Sequence, residues 1–123
     1  MALAHRGIAA MSNHTPGKWE VAGRMVYALN EEGTNRFDAF VQSGWESKES
    51  RTTNKELAAN ARLIAAAPEL HEANQLFVQA VNHMQGITAD HSDDRIYDEM
   101  PSSQLASAYF AARTALAKAR GEA

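Results

Sequence analysis

The chain has 123 residues, a formal net charge of −3 and no cysteine. This length predicts one domain. The missing cysteines exclude a disulfide scaffold, a thiolate zinc site and a cysteine nucleophile, and they fit a reducing, cytoplasmic compartment. With 12 Lys and Arg against 15 Asp and Glu, and no basic run, nucleic-acid binding is not expected. No apolar stretch approaches the roughly 20 residues that span a membrane.

Residues 1–13 are predicted to be a disordered extension ahead of one domain at residues 14–123, since Met11 offers a second possible start. Short runs that alternate apolar and polar residues then predict three antiparallel strands at about 18–22, 24–30 and 35–43. Turn residues separate these runs. A three-stranded meander has a bare face that another element must cover.

The helical part begins after a polar loop at residues 44–50. Thr53 and Glu56 have the spacing of a capping box, and they open a predicted helix over 54–85 with Gly86 as its C-cap. Pro68 interrupts this helix, and it either kinks the helix or starts a second segment.

The acidic stretch at residues 87–100 is predicted to be a loop, and a last helix is predicted at 103–120. Leu105, Tyr109, Ala112 and Leu116 lie on one face of that helix. The predicted fold class is therefore α+β, with an N-terminal antiparallel sheet of three or more strands packed by two long C-terminal helices that form an antiparallel hairpin.

Catalytic motifs are missing from this sequence. It has no GxGxxG, Walker-type, GxSxG or HExxH motif. His71 and His83 lie twelve residues apart on the predicted helix, which is too far for a shared metal ion, because helix-borne ligand pairs need three- or four-residue spacing. We therefore expect no catalytic residue, no metal, no cofactor and no enzymatic activity.

Binding-type features are present around the first predicted helix. Asn60 is expected to be half-buried on its apolar face, where its partner is either sheet backbone or a ligand. Arg62 is close in sequence, and Arg51 precedes the helix start, where N–H groups and an arginine suit an anion. Together with Arg24, these are the candidate ligand-binding residues.

Aromatic side chains lie on both sides of the predicted sheet. Phe37 and Phe40 are three residues apart, so strand alternation places them on opposite faces. One face is expected to meet the helices and the other a second subunit, which predicts a homodimer or a higher homo-oligomer.

Two segments resemble sequences of small phage and prophage proteins. HTPGKW at residues 14–19 resembles their HTPGxW opening, and ANARLIAAAPEL at residues 59–70 resembles their ANARLIAAAPELL helix. The order of strands followed by helices is also similar. The resemblance implies a viral protein that works in the cytoplasm of a bacterial host cell.

Within that phage group, the layout is similar to the anti-Thoeris signal-sequestering proteins. This resemblance implies an anti-defence protein that binds a cyclic nucleotide signal of the cyclic ADP-ribose type without cleaving it, in a pocket between subunits. An alternative is a phage inhibitor that contacts a host defence protein directly, as anti-CRISPR proteins do, through the acidic stretch at residues 90–99. A third possibility is a structural accessory protein without a ligand.

Overall fold

A computed structural model of the chain describes residues 13–44 and 51–122. The predicted extension, apart from Asn13, and the predicted loop, apart from Gly44, lie outside the described residues. The chain forms two compact units, His14–Leu70 and a second unit that begins at His71. None of the described helices has the length and apolar character that a membrane span requires.

The first unit contains the sheet that the alternation predicts. Strands β1 (Glu20–Ala22), β2 (Met25–Leu29) and β3 (Asn35–Phe40) form an antiparallel meander in the order β1-β2-β3. A tight turn at Gly23, with φ +60°, joins β1 to β2. Asn30 and Gly33 close the turn before β3, because the Asn30 carbonyl accepts from the Gly33 N–H at 3.0 Å.

Two separate helices follow the sheet. The sequence had left open a single helix over residues 54–85 with a kink at Pro68. Helix α1 is Asn54–Ala65 and helix α2 is Ala67–Gln85, with Ala66 between them. Pro68 is the second residue of α2. The N–H groups of a helix's first turn have no partner within the helix, so the missing N–H of Pro68 costs α2 no helical hydrogen bond. The structure therefore resolves the alternative at Pro68 as the start of a second helix.

Helix α1 covers one face of the sheet in the first unit. Val26 and Ala61 are fully buried against each other, and Ala65 extends this cluster along the helix. Trp19, Phe37 and Val41 pack around it. The prediction of an α+β fold with an N-terminal antiparallel sheet and C-terminal helices is confirmed.

The second unit contains a helix where the sequence pattern predicts a loop. Helix α3 is Asp93–Glu99, so the loop prediction for residues 87–100 is wrong over this segment. The Ser92 hydroxyl caps the start of α3 by accepting a hydrogen bond from the Arg95 N–H at 3.2 Å. The negative charges of Asp93 and Asp94 in the first turn interact favourably with the positive end of the helix dipole.

Helix α4 (Ser103–Ala119) completes the second unit much as predicted. Ser102 caps its start, and Tyr109, Ala112 and Leu116 are buried on one face. Tyr109 lies in a core cluster with Val81 of α2. Its hydroxyl donates to Asn82 Oδ1 at 2.5 Å, which satisfies the polar end of a side chain that is only 2% exposed. The other members of the cluster are Ile96, Met100 and Ala106.

The hydrogen bond between Tyr109 and Asn82 makes a measurable contribution to stability. We expect Tyr109→Phe to lower the free energy of unfolding by about 1 kcal/mol, because it removes the bond and leaves the Asn82 oxygen without its donor. The matched control is Tyr97→Phe, at a tyrosine 48% exposed, which should change stability by less than about 0.5 kcal/mol. Urea unfolding measures both variants, and equal effects would contradict the assignment.

Candidate functional site

Arg24, one of the sequence-predicted binding residues, joins the sheet to the start of α1. Its Nε donates to the Val41 carbonyl at 3.0 Å, and its Nη1 donates to Asn54 Oδ1 at 3.1 Å. The guanidinium carbon lies 4.6 Å from the ring centroid of Phe40, within cation–π range. A guanidinium has five N–H donors, and these two bonds use two of them. Arg24 is thus fixed in place with donor capacity remaining.

The start of α1, beside Arg24, has the geometry that the sequence predicts. Thr53 is the N-cap, and its hydroxyl accepts from the Glu56 N–H at 3.2 Å. The first N–H groups of a helix have no partner within the helix, and the dipole adds partial positive charge there. Arg51 is exposed two residues before the cap. We call Arg24, Arg51, Thr53 and Asn54 the arginine cap site; it suits an anionic group.

Asn60 and Arg62 lie elsewhere on α1. Both are exposed, so the expectation that Asn60 is half-buried on the apolar face is wrong. The buried face of α1 is formed by Leu57, Ala61 and Ala65, at spacings of four. Asn60 follows Asn54 by six residues, or about 9 Å along the axis at 1.5 Å per residue. The structure therefore groups Arg24 and Arg51 near the helix start and leaves Asn60 and Arg62 farther along.

Two surface cavities were missed by sequence reasoning. In the first unit, a cavity of about 490 Å³ lies between the turn before β3 and the segment Pro16–Gly17, with Arg36 and the acidic pair Glu31 and Glu32 in its wall. Its residues come from three separate segments, and no local spacing connects them.

The second cavity, about 430 Å³, lies beside α4 in the second unit and includes Arg113 and Arg120. The Arg113 guanidinium carbon lies 5.5 Å from the ring centroids of both Tyr109 and Phe110, and its Nη1 lies 3.6 Å from Asp93 Oδ1. On α4, Arg113 follows Tyr109 by four residues and Phe110 by three, so the sequence spacing alone could have indicated these contacts. Arg120 donates to Glu122 at 2.9 Å, so both arginines already have carboxylate partners.

The acidic stretch before and within α3 presents carboxylates to solvent. The Thr88 hydroxyl donates to Asp90 Oδ1, and this hydrogen bond lowers the pKa of Asp90 below its ordinary value. Asp94 and Asp98 are exposed and four residues apart on α3. Among the described residues, no three His, Asp or Glu side chains are close enough to hold a metal ion together.

The contacts of Arg24 predict a structural role besides any binding role. We expect Arg24→Ala to lower the free energy of unfolding by about 1–2 kcal/mol, since it removes two hydrogen bonds and a cation–π contact. Arg24→Lys should recover only part of this loss, because an ammonium lacks the planar fork. The control is Arg36→Ala, at an exposed position, which should be near neutral by chemical unfolding. A neutral Arg24→Ala would contradict the assignment.

One protein family matches this chain. The family model described as Salmonella phage P22 protein Y8K6 matches residues 11–123. Neither a curated protein nor a solved structure matches the chain. The match covers both compact units and therefore more than half of the sequence.

Proposed function

We propose that this chain, which belongs to the Salmonella phage P22 protein Y8K6 family, is a phage anti-defence protein that binds and sequesters a cyclic nucleotide immune signal. The observation that carries the proposal is the fixed position of Arg24 at the start of α1. A phosphate group there would meet the remaining guanidinium donors, the first N–H groups of α1 and the positive end of its dipole. Arg51 adds a second positive charge close by.

The surroundings of the arginine cap site also suit the base of a nucleotide. Phe40 is 57% exposed and lies directly against Arg24. Exposed aromatic faces and guanidinium planes both stack on nucleobases, and this stacking does not require a particular base. A cyclic nucleotide of the cyclic ADP-ribose type combines phosphates with a purine, which matches this pair of features.

Binding without cleavage is the proposed outcome of this arrangement. The positive charges and free donors of the site come from Arg24, Arg51 and the start of α1, whereas the Thr53 hydroxyl and Asn54 Oδ1 accept hydrogen bonds and Glu56 adds a carboxylate in the first turn. Hydrolysis of a phosphate ester needs in addition a positioned base or a metal-bound water. We accordingly propose a non-enzymatic protein without a cofactor that acts in the cytoplasm of the bacterial host.

A thermal-shift screen against cyclic ADP-ribose isomers and cyclic di- and trinucleotides tests this function. A ligand at about 100 times its dissociation constant should stabilise the fold by roughly 2.7 kcal/mol, which raises the melting temperature by several degrees. The ligand should be recovered unchanged, as chromatography of the released nucleotide would show. A screen without any shift would overturn the sequestration proposal, and a recovered product would identify an enzyme.

Arginine variants locate the binding site on α1. Arg51→Ala should weaken binding at least tenfold if the arginine cap site holds the phosphate, whereas Arg62→Ala should have little effect. The reverse result would move the site to Asn60 and Arg62. Arg36→Ala, an exposed arginine on β3, is the matched control for the loss of one positive charge. Calorimetric titration of the nucleotide found in the screen measures all three.

The exposed carboxylates of α3 favour a second candidate function, the inhibition of a host defence protein by direct contact. Asp93 is paired with Arg113 and Glu99 with Arg95, whereas Asp94 and Asp98 have exposed carboxylates on the same side of the helix. Such a pair complements a basic surface, including one that normally binds nucleic acid.

A charge-removal experiment separates this candidate from sequestration. Asp94→Ser combined with Asp98→Ser should abolish protection of the phage if contact through α3 is the mechanism, and it should leave nucleotide binding unchanged. The matched control is Glu31→Ser combined with Glu32→Ser, which removes the same charge from an exposed turn. Plaque counts on a defence-carrying host measure protection, and full activity of the α3 variant would exclude this mechanism.

A further inference from the structure

The cavity of about 430 Å³ beside α4 has two arginines on one face of that helix. Arg113, Ala117 and Arg120 follow one another at spacings of four and three residues, so they share this face, with the small alanine between the two long side chains. All the residues that line the cavity belong to the second compact unit. The volume lies within the range of about 300–1,000 Å³ that is typical of small-molecule sites.

The inner wall of this cavity is apolar and held in place by the core of the second unit. Val78 of α2 and Phe110 and Leu116 of α4 contribute to the wall. Leu116 is buried, and Val78 and Phe110 pack against the core cluster. The Phe110 ring is stacked on Tyr97, with ring centroids 6.4 Å apart. A bound molecule can therefore bury apolar surface against a fixed wall.

The rim of the cavity has hydrogen-bond donors that the protein does not use fully. Arg113 Nη1 lies 3.6 Å from Asp93 Oδ1, which is longer than a hydrogen bond. Arg120 donates to Glu122 through Nε at 2.9 Å and through Nη2 at 3.3 Å, which leaves further guanidinium N–H groups. Thr114 adds a hydroxyl beside Arg113. Both arginines can thus donate to a molecule in the cavity.

The two carboxylates beside these arginines are weak competitors for them. The Asp93 side chain is 74% exposed and that of Glu122 is 57% exposed. Ion pairs at such exposed positions contribute little to stability, because water screens them. An anion that accepts from both guanidiniums at once would replace two weak pairs by charge-assisted hydrogen bonds.

We propose that the cavity beside α4 binds a phosphate monoester with an apolar body. The phosphate lies between Arg113 and Arg120, over Ala117, and the apolar body packs against Val78 and Phe110. A phosphate monoester presents three acceptor oxygens to the two guanidinium forks, whereas a carboxylate presents two. This site is separate from the arginine cap site of the first unit, so the proposal does not depend on the proposed sequestration of a cyclic nucleotide.

Phenyl phosphate is the probe, and two-dimensional NMR of the isotope-labelled full chain is the measurement. Titration should shift the backbone amides of residues 110–122 in a saturable way. Phenyl phosphate should bind at least about tenfold more tightly than inorganic phosphate, because its ring covers part of the apolar wall. Equal affinities would indicate an unspecific anion contact and overturn the proposal. Shifts confined to residues 51–57, at the arginine cap site, would overturn it as well.

Charge variants test the roles of the arginine and of its competing carboxylate. Arg120→Gln should weaken phenyl phosphate binding at least about tenfold, whereas Glu122→Gln should strengthen it about threefold by removing the competitor. Arg95 and Glu99 form an exposed ion pair outside the cavity, so Arg95→Gln and Glu99→Gln are the matched controls and should bind like the wild type. Arg51→Ala should also bind normally. Unchanged binding by Arg120→Gln, or weaker binding by Glu122→Gln or Arg51→Ala, would contradict the proposal.

Discussion

The contact on which the first unit depends is the close approach of α1 to the sheet. Ala61 and Val26 are both fully buried where they meet, and Ala65 repeats the small side chain one turn later. Alanine on this face lets the helix backbone lie near the strands. This proximity brings Asn54 within 3.1 Å of Arg24, which extends from the turn between β1 and β2. The arginine cap site is therefore a consequence of the packing of the unit.

The segments HTPGKW and ANARLIAAAPEL contribute to the same cluster. Trp19 ends the HTPGKW segment, and its Nε1 donates to the Thr15 carbonyl at 3.1 Å while its ring meets Phe37 edge-on at 4.9 Å. His14 lies against the same indole, with ring centroids 6.0 Å apart. Ala61, from the other segment, is in the cluster against which Trp19 packs. Both segments thus have a packing role, and the exposed positions of the second segment are available for other roles.

The sequence predicted those features that depend on neighbours in the chain. The three strands, the Thr53 cap and the left-handed Gly86 follow from local patterns, and all three are present. Helix α3 was missed because Ile96 is its buried residue and Met100 lies at its C-cap, and two apolar residues amid aspartates do not establish a helical period. Asn60 was misplaced because the pattern favoured large residues such as Ile64, whereas two alanines and Leu57 form the buried face.

The nucleotide site proposed here differs from the site that the anti-Thoeris resemblance implies. That resemblance implies a ligand pocket between subunits, but Arg24, Arg51, Thr53 and Asn54 all belong to one unit of one chain. A phosphate bound by these groups needs no partner subunit.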